Sequence, residues 1–391
     1  MQRTLKPGYS LGGRLDRALH EKVEPSFEFG TDEYWMEQAL LTSMNAVGWS
    51  APNPAVGCVI VKENRELARG FTQAYRHEHA ERMAFEMISD PEALRGATVY
   101  VTLEPCTHFG FQPPCIDLLL SRPVGRVVIA CADPDPRVSG QGIQTLRDSD
   151  KEVVLGVLEA EARAWHFPFL KNRVTGKPVW IAKWAQNEEG FLADAVGNSK
   201  WITNEVSRAY THWLRQKYDA ILVGARTWIT DRPKLTVRDC ALPHRRNPVR
   251  LVFDPRAMLA TLPVNEILIH EESPIFVYIE RERFEAISPT LPRVAGLTWL
   301  PFKGVEGFQG AVESTDFGKP LQSIFCEGGA RLLNTLMQHG IFDAVHRFQA
   351  ERSFERVDSR NRIDFKPDAS WIDLARHKFL DDDLHEWVKC F

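Results

Sequence analysis

The sequence predicts an α/β protein of two domains, and three observations carry that expectation. The chain has 391 residues, and at roughly 100–200 residues per domain two cores are the natural count. β-Branched apolar runs alternate with helix-type apolar spacing through both halves, the pattern of strands joined by helices with largely parallel neighbours. Hydrophobic residues make up 44% and charged residues 26%, the balance of a globular chain rather than a disordered or fibrous one.

Residues 1–30 show no period and are broken by Gly8, Gly12, Gly13 and Pro25, so they read as an N-terminal extension. Thr31-Asp32 opens a helix, with Trp35, Ala39, Leu40 and Met44 at helical spacing. The loop Ser50-Ala51-Pro52-Asn53-Pro54 leads to a strand at Val56–Val61. Gly70-Phe71 begins an irregular, His-rich stretch, and Ala80–Ser89 reads as a helix. Ala97–Leu103 is a β-branched strand, separated by a Pro/Gly-rich loop from a helix at Cys115–Ser121. Arg126–Ala132 is a strand ended by Asp133-Pro134-Asp135-Pro136, then Ile143–Ser149 a helix and Val153–Val157 a strand. These segments define a first domain over 31–158. Residues 159–178 read as a connecting helix and linker.

A second domain is expected over 179–391. It opens with a strand at Val179–Ala185 and a helix at Asn204–Lys217, with Thr203 as N-cap. Strands follow at Ala220–Gly224, Val249–Phe253, Ile275–Ile279 and Leu297–Pro301. Ser323–Cys326 runs into Gly328-Gly329 and a helix at Ala330–Gln338, which Gly340 ends.

Lys and Arg number 48 against 52 Asp and Glu, a net charge of −4, so no strongly basic duplex-binding surface is indicated. The longest apolar runs fall far short of the ~20 residues that span a bilayer. The first residues lack the apolar region of a secretory signal, so a soluble, cytoplasmic protein is expected. Seven scattered Cys do not suggest a disulfide framework.

His79-Ala80-Glu81, Pro105-Cys106 and Cys115 form the sharpest signal. Zinc takes neutral imidazole and thiolate ligands, and a catalytic site keeps one position open for water. His79, Cys106 and Cys115 supply three ligands and leave that place. Zinc lowers the pKa of bound water to about 7. Glu81, at the head of a helix, can pass a proton from water to a departing amine without binding the metal. Nucleobase deaminases carry a related pattern, His-x-Glu with Pro-Cys-x-x-Cys; here eight residues separate the Cys pair. A lone His-Ala-Glu is weak, lone Cys residues are more often core, and His77 and His108 alone read as surface residues. The joint pattern, each piece at an element boundary, points to a zinc deaminase.

With these residues in place the chain resembles the bifunctional riboflavin-biosynthesis deaminase/reductase family. PNPAVGCVIV, HAE and ATVYVTLEPCTHFGFQPPC carry the resemblance. ADPDPRVSGQGI, WIT at 201–203, DRPKLTVR at 231–238 and CEGGARLL at 326–333 follow in the same order. It spans roughly residues 32–350. The resemblance implies a cytidine-deaminase-like three-layer domain that hydrolyses an exocyclic amine of a phosphoribosylaminopyrimidine. It implies a second, dihydrofolate-reductase-like domain that reduces the ribosyl group to ribityl with NADPH. It assigns Zn2+ to His79, Cys106 and Cys115, the proton shuttle to Glu81, and deaminase substrate contacts to Asn53, His108 and Asp133. In the second domain it assigns cofactor contacts to Gly224, Ala225, Thr227, Gly328 and Gly329. Reductase substrate contacts fall on Ser199, Arg215, Asp231, Arg238 and Glu327. A glycine pair before a helix suits close approach of phosphate, and guanidinium forks suit phosphate oxygens.

Several positions depart from the family pattern. Thr72 stands where a His is usual, Phe111 or Gln112 replaces a basic residue, and Asp135 replaces an Asn. Ser-Leu-Asp-Gly becomes Asn187-Glu188-Glu189-Gly190, placing negative charge near the expected cofactor, and Asp-Asp-Pro becomes Asp231-Arg232-Pro233. After Phe348 the family's closing strands are not recognisable; 351–364 and Asp381-Asp382-Asp383 read as solvated faces. The leading expectation is riboflavin biosynthesis. The alternative is a relative acting on another pyrimidine- or purine-type metabolite with an altered or inactive reductase domain. The charge balance and the second domain argue against nucleic-acid editing, and Glu81 argues against a purely structural zinc. The expected partner is a small pyrimidine ribotide, not nucleic acid or a membrane, and a homo-oligomer is expected.

Overall fold

Two sheets organise the chain, one in each of two compact units divided between Gly176 and Lys177. The computed structural model describes residues 26–135, 139–195, 202–238, 245–268 and 273–389. Most of the extension 1–30, and Ser199, lie outside these. Among the described residues no helix is long and apolar enough to cross a membrane. The described cysteines are free thiols.

The first unit holds β1 (Gly57–Lys62), β2 (Arg65–Phe71), β3 (Thr98–Val101), β4 (Arg126–Ile129) and β5 (Glu152–Leu155), in the order β2-β1-β3-β4-β5. Only β3, β4 and β5 run parallel; β1 is antiparallel to both its neighbours. The sequence reading missed β2. Its hairpin turns on Glu63 and Asn64, both left-handed at φ 51 and 57, the conformation of a tight two-residue turn, but with no glycine to announce it.

Thr31 caps the first helix, Asp32–Ser43, accepting the Tyr34 N–H. Asp32 reaches out of that helix to Arg126 at 2.6 Å and to the Tyr100 hydroxyl at 2.9 Å, tying it to β4 and β3. Two glycines set how closely helices approach this sheet. A Cβ on Gly57 would fall 1.9 Å from Ala39 O, and one on Gly70 2.3 Å from Ala80 O. Gly70 therefore seats the His79–Glu81 helix directly on β2. Residues 159–178, read as a connecting helix and linker, hold a helix at Glu159–Thr175 that belongs to the first unit. Trp165 donates to Ala55 O at 2.9 Å, and His166 lies 3.2 Å from Thr102 Oγ1.

The second unit holds a nine-stranded sheet. Its strands are β6 (Val179–Asn187), β7 (Ala220–Gly224), β8 (Val249–Phe253), β9 (Ile275–Glu280), β10 (Leu297–Phe302), β11 (Ser323–Cys326), β12 (Ala344–Ala350), β13 (Trp371–Phe379) and β14 (Asp382–Lys389). The order is β10-β9-β8-β7-β11-β6-β12-β14-β13. All pairs from β10 to β12 are parallel, while β14 is antiparallel to β12 and β13. The last three strands correct the sequence reading. Asp382, taken for a solvated residue, is buried, and its carboxylate accepts from Asn204 N and Ser207 Oγ at 2.8 and 2.6 Å. That docks the β13–β14 hairpin onto the helix Glu205–Lys217. Asn204, not Thr203, caps this helix, accepting the Ser207 N–H. β13 carries a register shift between Asp373 and Ala375.

A buried polar chain runs beneath that helix. The Tyr218 hydroxyl lies 2.7 Å from His346 Nε2, His346 Nδ1 lies 2.6 Å from Glu386, and His377 Nε2 3.5 Å from the same carboxylate. Burial opposes ionisation of Glu386, but the two histidines outweigh it and hold the carboxyl well below the usual range. A carboxyl lowered by folding adds stability above its unfolded pKa and loses it as pH falls through the folded value. Glu386→Gln is expected to cost about 3 kcal/mol at neutral pH. The gap to the parent should narrow as pH drops below about 4. Urea unfolding at several pH values measures this; a gap constant with pH would mean the carboxylate charge is not what matters.

Candidate active sites

In the first unit His79 is the N-cap of the helix Ala80–Glu86, and Cys115 opens the helix Cys115–Ser121. Cys106 lies on the loop after β3, held because the Cys115 N–H donates to its sulfur at 3.3 Å and the Ile116 N–H to its carbonyl. His79 Nδ1 is 3.5 Å from each sulfur. All three donor atoms lie within 4.8 Å of one another. One imidazole nitrogen and two sulfurs suit Zn2+, and three protein ligands leave a position open. Hydrogen bonding from Cys115 and to His79 lowers the Cys106 thiol to about 4. Its hydrogen bond to Cys106, then burial, raises Cys115.

Glu81 lies in the first turn past His79 and is 4% exposed. Burial, then the charge of Cys106, pushes its carboxyl up. The three ligands and Glu81 are four side chains from two helices and one loop. The helix on Gly70 brings two of them as a unit.

A cavity of about 250 Å³ opens beside this cluster, and Asn53, His108 and Asp133 all line it together with His79, Glu81 and Cys106. The departures Thr72, Phe111 and Gln112 line it too. Thr72 is turned to a structural task, its Oγ1 accepting the Val56 N–H at 3.1 Å. Sequence reasoning missed Glu104. Its buried carboxylate accepts from the backbone N–H groups of Asp133, Gly140, Gly142 and Ile143. It thereby fixes the loop carrying Asp133 against the cavity. Its only sequence signal is that it stands beside Pro105-Cys106.

In the second unit the nucleotide-type segments converge at the carboxyl ends of adjacent parallel strands, where ligands of open α/β sheets sit. β7 ends at Gly224 and β11 at Cys326, and Glu327 N donates to Leu222 O. Gly224 and Gly329 are the N-caps of the next helices, Ala225–Asp231 and Ala330–Gln338. A Cβ on Gly329 would lie 3.7 Å from Thr227 Oγ1, and one on Gly328 only 2.8 Å from Leu332. Gly224, Ala225, Thr227, Gly328 and Gly329 thus form one cradle.

Glu327 is the centre of a buried ion cluster. It is held in a bidentate pair by Arg215, at 2.6 and 3.0 Å, with Lys183 Nζ at 3.8 Å. Burial opposes its ionisation, yet Arg215 and Lys183 hold its carboxyl down at about 2. Two nitrogens of Arg215, Nε and Nη2, are therefore taken by Glu327. Burial lowers Lys183 despite Glu327. Burial and the two arginines lower His212, 3.1 Å from Thr236 O, to about 4. Lys183 and His212 were missed; the one sequence signal was a lone cation inside the apolar strand β6. Asp231 is on the exposed end of its helix, and Arg238 is exposed with its amide 3.4 Å from His212 Nδ1. Glu188 and Glu189 are exposed. Cys326 pairs with Ala182, which puts Glu327 level with Lys183, and β6 runs on about 13 Å to Asn187 before that acidic pair turns off the strand.

The comparisons agree with this geometry. Residues 30–131 match the cytidine and deoxycytidylate deaminase zinc-binding region, and residues 178–351 the RibD C-terminal domain. The riboflavin biosynthesis protein RibD of Aquifex aeolicus is 37% identical over 324 residues, covering 82% of this chain and 87% of that protein. The RibD of Escherichia coli is 34% identical over 326 residues, covering 80% and 86%. The crystal structure of a diaminohydroxyphosphoribosylaminopyrimidine deaminase/5-amino-6-(5-phosphoribosylamino)uracil reductase from Thermotoga maritima superposes with a TM-score of 0.76. It is 32% identical, covering 92% of this chain and 98% of that one. The chain belongs to the RibD family of riboflavin biosynthesis proteins, with a zinc-binding deaminase domain followed by a reductase domain.

Proposed function

We propose that the first unit hydrolyses an exocyclic amine of a phosphoribosylaminopyrimidine and that the second reduces its ribosyl group to ribityl with NADPH. The observation that supports this most is the trio His79, Cys106 and Cys115 with Glu81 buried beside it on one cavity. Zn2+ held by that trio supplies Lewis acidity that makes water nucleophilic near neutral pH. Glu81 takes a proton from water on its carboxylate and delivers it to the departing amine nitrogen. Asn53, His108 and Asp133 orient the pyrimidine, and Glu104 keeps Asp133 in place.

In the second unit the glycine cradle receives the cofactor phosphates through backbone N–H groups. NADPH supplies the hydride, and the protein's part is to orient it. Lys183, Arg215 and Glu327 form the fixed polar wall against which the ribosyl group is held. Arg238, with no carboxylate partner among the described residues, is the guanidinium for the substrate phosphate; the family match adds Asp231, and Ser199, which lies outside the described residues.

The test follows ammonia release and NADPH oxidation separately on zinc-loaded protein given the diaminopyrimidine ribotide. Both signals are expected. Ammonia alone would show a working deaminase beside an altered reductase, and neither would mean another substrate.

A further inference from the structure

We propose that Arg76 and Arg173 form a clamp for an anion at the mouth of the deaminase cavity, and that it takes the phosphate of the ribotide; the identity of that anion rests on the deaminase reading above. Both side chains line the cavity. Neither has a carboxylate partner among the described residues. Each is held by a ring instead. The Arg76 guanidinium sits 4.7 Å from the Phe111 centroid and 5.4 Å from that of Tyr75, and the two rings meet edge to face at 5.6 Å. The Arg173 guanidinium sits 4.9 Å from Phe169. A ring fixes a guanidinium through its face and leaves the N–H fork free in the plane. Two such forks on one cavity are a receptor for an oxyanion.

Two further facts separate this arrangement from two ordinary surface arginines. Arg76 has φ 78, a left-handed backbone conformation that suits glycine. A non-glycine residue held there carries a conformational cost, and such residues mark sites where the side chain is needed. Phe111 or Gln112 stands where the family pattern has a basic residue, and the ring of Phe111, 61% exposed, supports Arg76 together with Tyr75. The positive charge absent from that loop is thus returned to the cavity from position 76. The other charged or titratable groups on the cavity are His77, His108, Asp133, Glu104 and the His79–Glu81–Cys106 cluster. Asp133 accepts the Asp135 N–H, and Glu104 accepts those of Asp133 and Gly142.

Two measurements decide the matter. The first compares ammonia release from the ribotide and from its dephosphorylated riboside. The wild-type protein is expected to favour the ribotide, and Arg76→Gly or Arg173→Ala to cut that preference about tenfold or more, mainly through KM. Arg76→Gly relaxes the backbone at φ 78, so its melting temperature should be no lower than the parent's and lost preference cannot be blamed on unfolding. An unchanged preference in both variants overturns the clamp. The second measurement needs no turnover. Phenylglyoxal labelling is read peptide by peptide with and without inorganic phosphate. Phosphate is expected to protect Arg76 and Arg173 but not Arg95, which is exposed and paired with Glu92. Absence of protection overturns the clamp. Protection in a protein that deaminates neither compound keeps the clamp and overturns the substrate reading.

Discussion

Glu81→Gln is expected to abolish ammonia release, by roughly 10²–10⁴-fold, while zinc stays bound. The side chain is buried at 4% exposure beside the trio but is not one of its three donors. The amide has the carboxylate's shape, so the cavity keeps its form. What disappears is a group able to accept a proton from water and return it to nitrogen. Metal analysis and ammonia release on the same preparation check this. Loss of zinc with activity would make Glu81 a structural residue. Retained activity would move the proton transfer to another group on the cavity.

Glu327→Ala is expected to destabilise the second unit by about 3–5 kcal/mol and to end reduction. The carboxylate is the counter-charge for Arg215 and Lys183, whose side chains are only 14% and 15% exposed. Removing it leaves two cations in a buried setting, which costs far more than a surface pair gives. Because Glu327 is held at about 2, the pairing persists through mild acid. The contribution should therefore be complete above about pH 5 and be lost progressively between about pH 4 and pH 2. Deamination should survive, since the first unit has its own sheet and core. Denaturant unfolding together with both activities tests this. Parallel loss of ammonia release and reduction would show that the two units do not stand independently.

The deaminase site was legible because zinc restricts residue type and because its pieces are short and local. His79 and Glu81 share one helix end, and Cys106 and Cys115 flank one loop. The glycines at 57 and 70 are explained only by the structure, which shows the helices they admit. The polar wall of the second unit was less legible. Lys183, Arg215 and Glu327 come from a strand, a helix and a strand end far apart in the chain, and no local spacing predicts that they meet. The pairing of Arg215 with Glu327 has no local signal because the two lie 112 residues apart. The C-terminal strands were hidden for a different reason. The run Asp381-Asp382-Asp383 looks solvated until the hairpin folds and buries Asp382 with Leu384 and Glu386 on one face of β14.

β13 closes one edge of the nine-stranded sheet. A free edge exposes unpaired backbone groups and invites a foreign strand to add. On β13 the exposed side chains include Asp373, Arg376 and Lys378, and the register shift after Asp373 breaks the flat repeat that an incoming strand would have to match. The charges that disguised this strand in the sequence thus serve the finished protein as a guard against aggregation. Neutralising Arg376 and Lys378 would leave both active sites untouched and give the sheet a surface on which copies could grow.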